Sequence, residues 1–248
     1  MYTSDKDELF YSKLYDAVCL CLTRQKPYFF SFLSERKQAL AENYLKSVCF
    51  ESYSFFGGYE NSERRVLGLF FDEPDDNFPV SALEFTFRTC DKLTHRDFLG
   101  ALMSLGIERE TVGDILVEDG RCVLFVKSEL KEYVVSQIFK IGNVGVKIKD
   151  ADISRLPQGR GFEEISYTVT SLRLDNIVSA LAGVSREKTK TIILTGNVSL
   201  NYLQNQNVSH IMHEGDVLTI RGKGKYILSG ILGETRKGRI RISVLYYR

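Results

Sequence analysis

Apolar and polar positions follow two different periods along this chain, and the changes of period mark its elements. "ELFYSKLYDAVCLCL" and "SFLSERKQALAENYLKSVC" each place apolar residues three and four apart, the spacing of one helical face, so residues 7 to 50 are predicted to be helical. Pro27 breaks the two runs and Ser34 is placed to cap the second. In "FFGGYENSERRVLGLFF", Gly57-Gly58 signals a turn before a strand from Val66 to Phe71. The pattern then alternates. "SALEFTFR" reads as a strand, residues 94 to 105 as a helix, "GDILVED" and "RCVLFVK" as strands around Gly120, "ELKEYVVSQIFKI" as a helix and "VGVKIKD" as a strand. The order β-α-β-β-α-β is the split βαβ, or ferredoxin-like, arrangement, which also underlies many RNA-binding sheets. An RNA-stacking sheet needs aromatic residues on its central strands, and "RCVLFVK" offers only Phe125.

The helix from 94 to 105 contains His95-Arg96-Asp97, the letters that open a protein-kinase catalytic loop. That loop needs an asparagine five residues after its aspartate, and position 102 is Leu102; a glycine-rich phosphate loop and an Asp-Phe-Gly triplet are also absent from the sequence. A helix start accounts for the triplet. Thr94 can cap, Asp97 can reach back to the cap amide, Leu93 and Phe98 occupy the positions of a hydrophobic staple, and Gly106 can end the helix in the left-handed conformation.

"SRLPQGRGFEE", with Pro157, Gly159 and Gly161, reads as a loop linking this body to a last third. There Leu174, Ile177, Val178 and Leu181 form one helical face closed by Gly183, and Ser185 can cap a second helix that ends at Gly196. Arg186 and Lys190 lie four apart on that second helix with Lys188 near them. Cations at a helix start oppose its dipole and invite an anionic partner. The strands "NVSLN" and "GDVLTIRG" follow, the latter leading into Lys223 and Lys225.

Charge sharpens this division. The net charge is +1, yet from Ser171 onward 12 Lys and Arg face 5 Asp and Glu, a net of +7, which leaves −6 before it. A basic third on an acidic body suggests a polyanion-binding module carried by something else. The 44% hydrophobic and 26% charged residues describe a globular protein; no apolar run reaches the roughly 20 residues of a membrane span, and "MYTSDKDELFYSK" lacks the pattern of a signal peptide. A cytoplasmic protein is expected. The cysteines Cys19, Cys21, Cys49, Cys90 and Cys122 form no CxxC pair and the histidines are only His95, His210 and His213, so reduced thiols are expected and neither a metal site nor a cofactor.

Two short helices with a basic second one, followed by "RLD", "SRE", "GNVSLN" and "EGD" in this order, resemble the S4 RNA-binding domain from about Ser171 to Tyr226. Tyr202 departs from the pattern, since many members carry a glycine after the asparagine. The resemblance implies that Arg173, Ser185, Arg186, Lys188, Lys190, Arg221, Lys223 and Lys225 contact structured RNA. RNA pseudouridine synthases share this domain and use an Arg-Leu-Asp triplet, but theirs lies in a separate catalytic domain downstream, whereas Arg173 to Asp175 here fall in the first helix of the module. Together with "FFGGYENSERRV" and "KLTHRDFLGALMSLGIERETVGDI", the whole chain resembles the YlmH family of bacterial RNA-binding proteins.

That resemblance implies a non-enzymatic factor that binds the large ribosomal subunit, its rRNA and tRNA or peptidyl-tRNA, alongside other ribosome quality-control factors while the nascent chain is extended. It also implies a genetic neighbourhood of cell-division genes. The expected architecture is α+β: a helical N-terminal region over 1–63, a ferredoxin-like domain over 64–165, and an S4 domain over 171–248 with trailing strands. The protein is expected to be a monomer away from membranes. His95 and Arg96 are a possible secondary RNA contact. Two other readings stay open: an RNA-modifying enzyme with a site around His95, Arg96 and Asp114, and a cell-division adaptor with incidental RNA binding.

Overall fold

The computed structural model describes residues 5–157 and 161–247, which combine helices and sheets in two compact units, Met1–Gly159 and Arg160–Arg248. In the first unit, α1 (Asp5–Arg24) is followed by β1 (Tyr28–Leu33), α2 (Glu35–Ser47), β2 (Tyr53–Phe56) and β3 (Arg65–Leu69). Ser34 caps α2, its hydroxyl accepting the Lys37 amide. The stretch between the two helices is a strand rather than more helix. The aromatic run "YFFSFL" pairs antiparallel with β3, and β3 pairs with β2 on its other edge. A division after residue 63 therefore falls inside one sheet, between β2 and β3.

The rest of this unit runs β4 (Val80–Thr86), α3 (His95–Ser104), β5 (Val112–Glu118), β6 (Arg121–Lys127), α4 (Lys131–Gln137), β7 (Lys140–Ile141), β8 (Val144–Gly145) and β9 (Lys147–Asp150). The strands β5-β6-β4-β9 form one antiparallel sheet in that order. α4 is shorter than its apolar pattern suggests, because β7 and β8 fold into a small hairpin and break up the last predicted strand. Along β6 the side chains alternate between two cores. Cys122, Leu124 and Val126 pack with Phe98 and Leu102 of α3 and Val134 of α4; Val123 and Phe125 pack with Phe32, Val66, Phe70 and Phe78 from the N-terminal half. Both faces of the sheet are covered.

The second unit contains β10 (Phe162–Val169), α5 (Leu174–Ala182), α6 (Arg186–Leu194), β11 (Val198–Leu200), β12 (Leu203–Gln204), β13 (Val217–Ile220), β14 (Gly224–Glu234) and β15 (Ile240–Tyr247). Its sheet runs β10-β15-β14-β13-β11-β12, all antiparallel. β10 lies in a stretch read from sequence partly as linker; it pairs with β15 along its whole length, so residues 162–169 belong here. Of the expected linker, residues 158–160 lie outside the described residues. Leu174, Ile177, Val178, Leu181 and Ile193 from the helices pack against Leu200, Leu218, Tyr226, Ile242 and Val244 on one face of the sheet. Gly183 stops α5 at φ 65°, the left-handed conformation its position requires.

Candidate nucleic-acid interface

The basic helix is built by its neighbours. The left-handed turn at Gly183 reverses the chain after α5, and Ser185 stands at the N-cap of α6 in extended conformation. The Ser185 side chain makes no capping hydrogen bond; its carbonyl instead accepts the Thr189 amide at 2.9 Å and the Thr189 hydroxyl at 3.0 Å. Thr189 and Ile193 turn into the core, which leaves Arg186, Lys188 and Lys190 exposed. Among the described residues, the ion pairs of this unit are Arg173–Asp175 and the weak contact of His213 with Asp216. The three cations of α6 thus have no carboxylate partner there.

Arg173 differs. Its guanidinium donates to both oxygens of Asp175, at 3.1 and 2.8 Å, in a fork that a phosphate would have to displace. The same guanidinium holds the Asp175 carboxyl below the usual carboxylate range, with a smaller contribution from Arg186.

The asparagine of "GNVSLN" and the aspartate of "EGD" meet in space. Asn201 Nδ2 donates to Asp216 Oδ1 at 2.8 Å, Asn201 Oδ1 accepts the Val217 amide at 2.9 Å, and Asp216 Oδ2 accepts the His213 amide at 2.8 Å. Asn201 and Tyr202 form the two-residue turn between β11 and β12, both at positive φ, 47° and 67°. Such a turn demands left-handed backbone at both positions. That is where glycine fits easily and where Tyr202 stands instead. Its ring lies 5.1 Å from Lys225 Nζ, which is also 4.3 Å from the Tyr247 ring.

The expected RNA contacts therefore do not share one surface. Arg186, Lys188 and Lys190 project from the helical layer. Lys225 precedes Tyr226, whose side chain is in the core with the helices, so Lys225 points from the opposite face of the sheet. Arg221 and Lys223 are exposed in the turn joining β13 to β14. Sequence reading missed the aromatic partners of Lys225, because neither Tyr202 nor Tyr247 lies near it along the chain.

In the first unit α3 begins at His95, and the Asp97 carboxylate accepts both the amide and the hydroxyl of Thr94 at 2.7 Å, completing a capping box. Those bonds hold the Asp97 carboxyl below its usual range. Arg96 is exposed and His95 half-buried at the first two helical positions. Asp114 is buried. Its Oδ2 accepts the Tyr59 hydroxyl at 2.9 Å and the Glu63 amide at 2.7 Å, and its Oδ1 accepts the Arg64 amide at 3.1 Å. The "GGYENSERR" loop is thereby pinned to β5. Gly58, at φ 103°, sits so close to the Phe125 ring that a Cβ there would clash. Phe125 is fully buried and stacks with Tyr59 at 5.1 Å, and Phe85 of β4 is fully buried too, so neither central-strand aromatic is open to a sheet-face RNA contact. Among the described residues no group of three or more His, Cys, Asp or Glu side chains is arranged to hold a metal ion.

Comparison with known proteins gives this geometry a family. Residues 74–155 match the family model described as "Putative RNA-binding domain in YlmH". The ribosome-associated protein quality control protein P2 of Bacillus subtilis (strain 168) is 34% identical over 197 residues, covering 77% of this chain and 76% of that protein. The chain belongs to the YlmH family. The YlmH RNA-binding-domain match spans β4 to β9, the sheet buried on both faces. Cell division protein ylmH from Streptococcus pneumoniae has a similar fold, with a TM-score of 0.55 at 20% identity over 62% of this chain and 96% of that one. A shorter similarity, 38% over 52 residues, links 21% of the chain to 26% of small ribosomal subunit protein uS4 of Carsonella ruddii (strain PV). No helix among the described residues is long and apolar enough to cross a membrane.

Proposed function

We propose that this YlmH-family chain is a non-enzymatic RNA-binding factor that docks on the large ribosomal subunit, contacting rRNA and peptidyl-tRNA, and supports nascent-chain tailing in ribosome-associated quality control. The observation that carries this reading is the exposed Arg186, Lys188 and Lys190 on α6, with no carboxylate partner among the described residues, in a third of the chain with net charge +7. Cations left without intramolecular partners are what a phosphate backbone needs, and phosphate contacts supply most sequence-independent affinity. In this reading the second unit is an S4 domain, β4 to β9 are a ferredoxin-like element, and the protein acts as a cytoplasmic monomer beside other quality-control factors. Similarity to the Bacillus subtilis quality control protein supports the setting.

The test is co-sedimentation of the full chain with large subunits carrying peptidyl-tRNA. Arg186→Ala with Lys190→Ala should remove two of roughly four to six neutralised phosphates and flatten the salt dependence of binding accordingly. Unchanged binding by a folded double mutant would overturn the assignment. The rival reading, RNA modification around His95, Arg96 and Asp114, is disfavoured by the Asp114 geometry: both oxygens are already occupied by Tyr59, Glu63 and Arg64.

A further inference from the structure

The face of the second unit's sheet turned away from its helices carries a row of side chains set by strand register. Phe162 of β10 pairs with Tyr247 of β15, and Tyr226 of β14 with Tyr246, so Lys225 lies beside Tyr247 in the next row. Lys225 pairs with Thr219 of β13, and Thr219 with Ser199 of β11. Residues in one such row project to the same side. The row therefore reads Phe162, Tyr247, Lys225, Thr219, Ser199, while the adjacent row, with Tyr226, Leu218 and Leu200, faces the helical core.

Two features of this row do not serve the core. Phe162 is 52% exposed although the strand it begins supplies Val169 to the core. Its ring centroid is 4.5 Å from that of Tyr247 at 69°, an edge-to-face pair that leaves half of Phe162 exposed. Beside it the Lys225 ammonium is positioned over Tyr247 and next to Tyr202, with exposed Lys223 and Arg221 in the adjoining turn. Glu163 and Glu164 follow Phe162 in the chain, so phosphate is disfavoured at the aromatic end and favoured at the lysine end. An aromatic surface at one end and cations at the other match a nucleotide whose base is unpaired.

We infer that this sheet face is a stacking platform for an unpaired RNA base, which lies on the exposed Phe162 ring beside Tyr247 while Lys225 and Lys223 take the adjoining phosphates. It rests on the RNA-binding reading above but uses the layer opposite to α6. Duplex RNA cannot use it, because a paired base has no free face to present. The α6 cations, by contrast, serve any phosphate backbone.

The experiment exploits the absence of tryptophan from the chain. Phe162→Trp in the full chain introduces a single reporter, titrated with an oligouridine strand and with a duplex of equal length. Saturable quenching by the single strand and little by the duplex is expected. Phe162→Ala should weaken single-strand binding roughly tenfold, about 1.4 kcal/mol, and leave duplex binding and the salt slope unchanged. Equal quenching by both RNAs, equal losses on both, or wild-type affinity in the alanine variant would each overturn the platform, and the tryptophan variant decides the matter should the alanine variant not fold. If large-subunit binding still depends on Arg186 and Lys190 while Phe162 variants behave as wild type, only the platform fails. Loss of the Arg186 and Lys190 dependence as well would overturn the RNA-binding reading itself.

Discussion

Asn201 and Asp216 stand fifteen positions apart and are joined side chain to side chain at 2.8 Å, which fastens the turn after β11 to the start of β13. Because Asn201 also accepts the Val217 amide, its carboxamide reinforces the ladder bond that the Asn201 amide donates to the Val217 carbonyl at 2.8 Å. Asn201→Ala should cost about 2 kcal/mol, two hydrogen bonds at roughly 1 each, and lower the melting temperature of the full chain. Asn201→Gly relieves the left-handed backbone but not the lost bonds, so it should recover only part of that loss. Equal stability of the wild type and both variants would show that the pairing is incidental.

Asp114 makes an equally specific prediction for the first unit. Asp114→Ala strands the Tyr59 hydroxyl and two backbone amides in a partly buried setting, so a loss of about 3 kcal/mol is expected in urea unfolding. Burial, with the Asp114 charge close by, pushes the Tyr59 hydroxyl well above its usual range, so it remains a donor at any working pH. RNA modifications in cells carrying Asp114→Asn should match those of the wild type when protein levels are equal. A modification lost under those conditions would restore the enzymatic reading.

Acid should weaken the fold through a small set of carboxylates. Burial raises Glu84, but hydrogen bonds from Lys149 and Arg121 outweigh it and hold the carboxyl below its ordinary value. Asp97 and Asp175 are lowered by Thr94 and Arg173. With folded values below the unfolded ones, their stabilisation is complete above about pH 5, beyond the unfolded carboxylate range, and is lost as pH falls through the lowered folded values. Urea midpoints should fall across that window. Glu84→Gln should lower the midpoint at pH 7 and make the acid loss shallower; an unchanged acid profile would remove Glu84 from the account.

Much of this fold was legible because local signals agreed. Ser34, the Thr94–Asp97 box and Gly183 fix three helix ends, and the strand-helix order from Val80 to Asp150 follows from periodicity. β1 was not legible, since "YFFSFL" continues a helical spacing and its partner β3 begins more than thirty residues later. Nor was the covering of Phe125, because the residues that bury it, Phe32, Tyr59 and Val66, lie far upstream. The cations of the candidate interface could be named from sequence, but their division between layers depends on strand register, which places Lys225 opposite Tyr226.

The start of α3 separates architecture from binding. Asp97 holds both the amide and the hydroxyl of Thr94, so Asp97→Ala should cost about 1 kcal/mol and Thr94→Ala, which leaves the amide bond in place, somewhat less. Arg96 is exposed beside the first-turn amides, a setting suited to a phosphate oxygen. Arg96→Ala should therefore weaken large-subunit or tRNA binding without lowering the melting temperature, while the two capping variants do the reverse. Parallel effects in all three would mean that the helix start is architecture alone.

Asp175 should act as a brake on RNA affinity. Its carboxylate occupies the Arg173 fork that a phosphate would otherwise enter, and its charge offsets Arg186, the first cation of α6. Arg173→Ala should then change affinity little, because the guanidinium is already committed. Asp175→Asn should do more: it removes a negative charge and frees the fork, adding about one phosphate contact and steepening the slope of log K against log salt by roughly 0.9. The amide oxygen can still accept from the Asn176 amide, as Asp175 does at 2.9 Å, which spares the start of α5. Filter binding to one RNA across a salt series reads both variants directly. A large loss with Arg173→Ala, or an unchanged slope with Asp175→Asn, would show that Arg173 reaches RNA despite its ion pair, and the helix cations would have to be reapportioned.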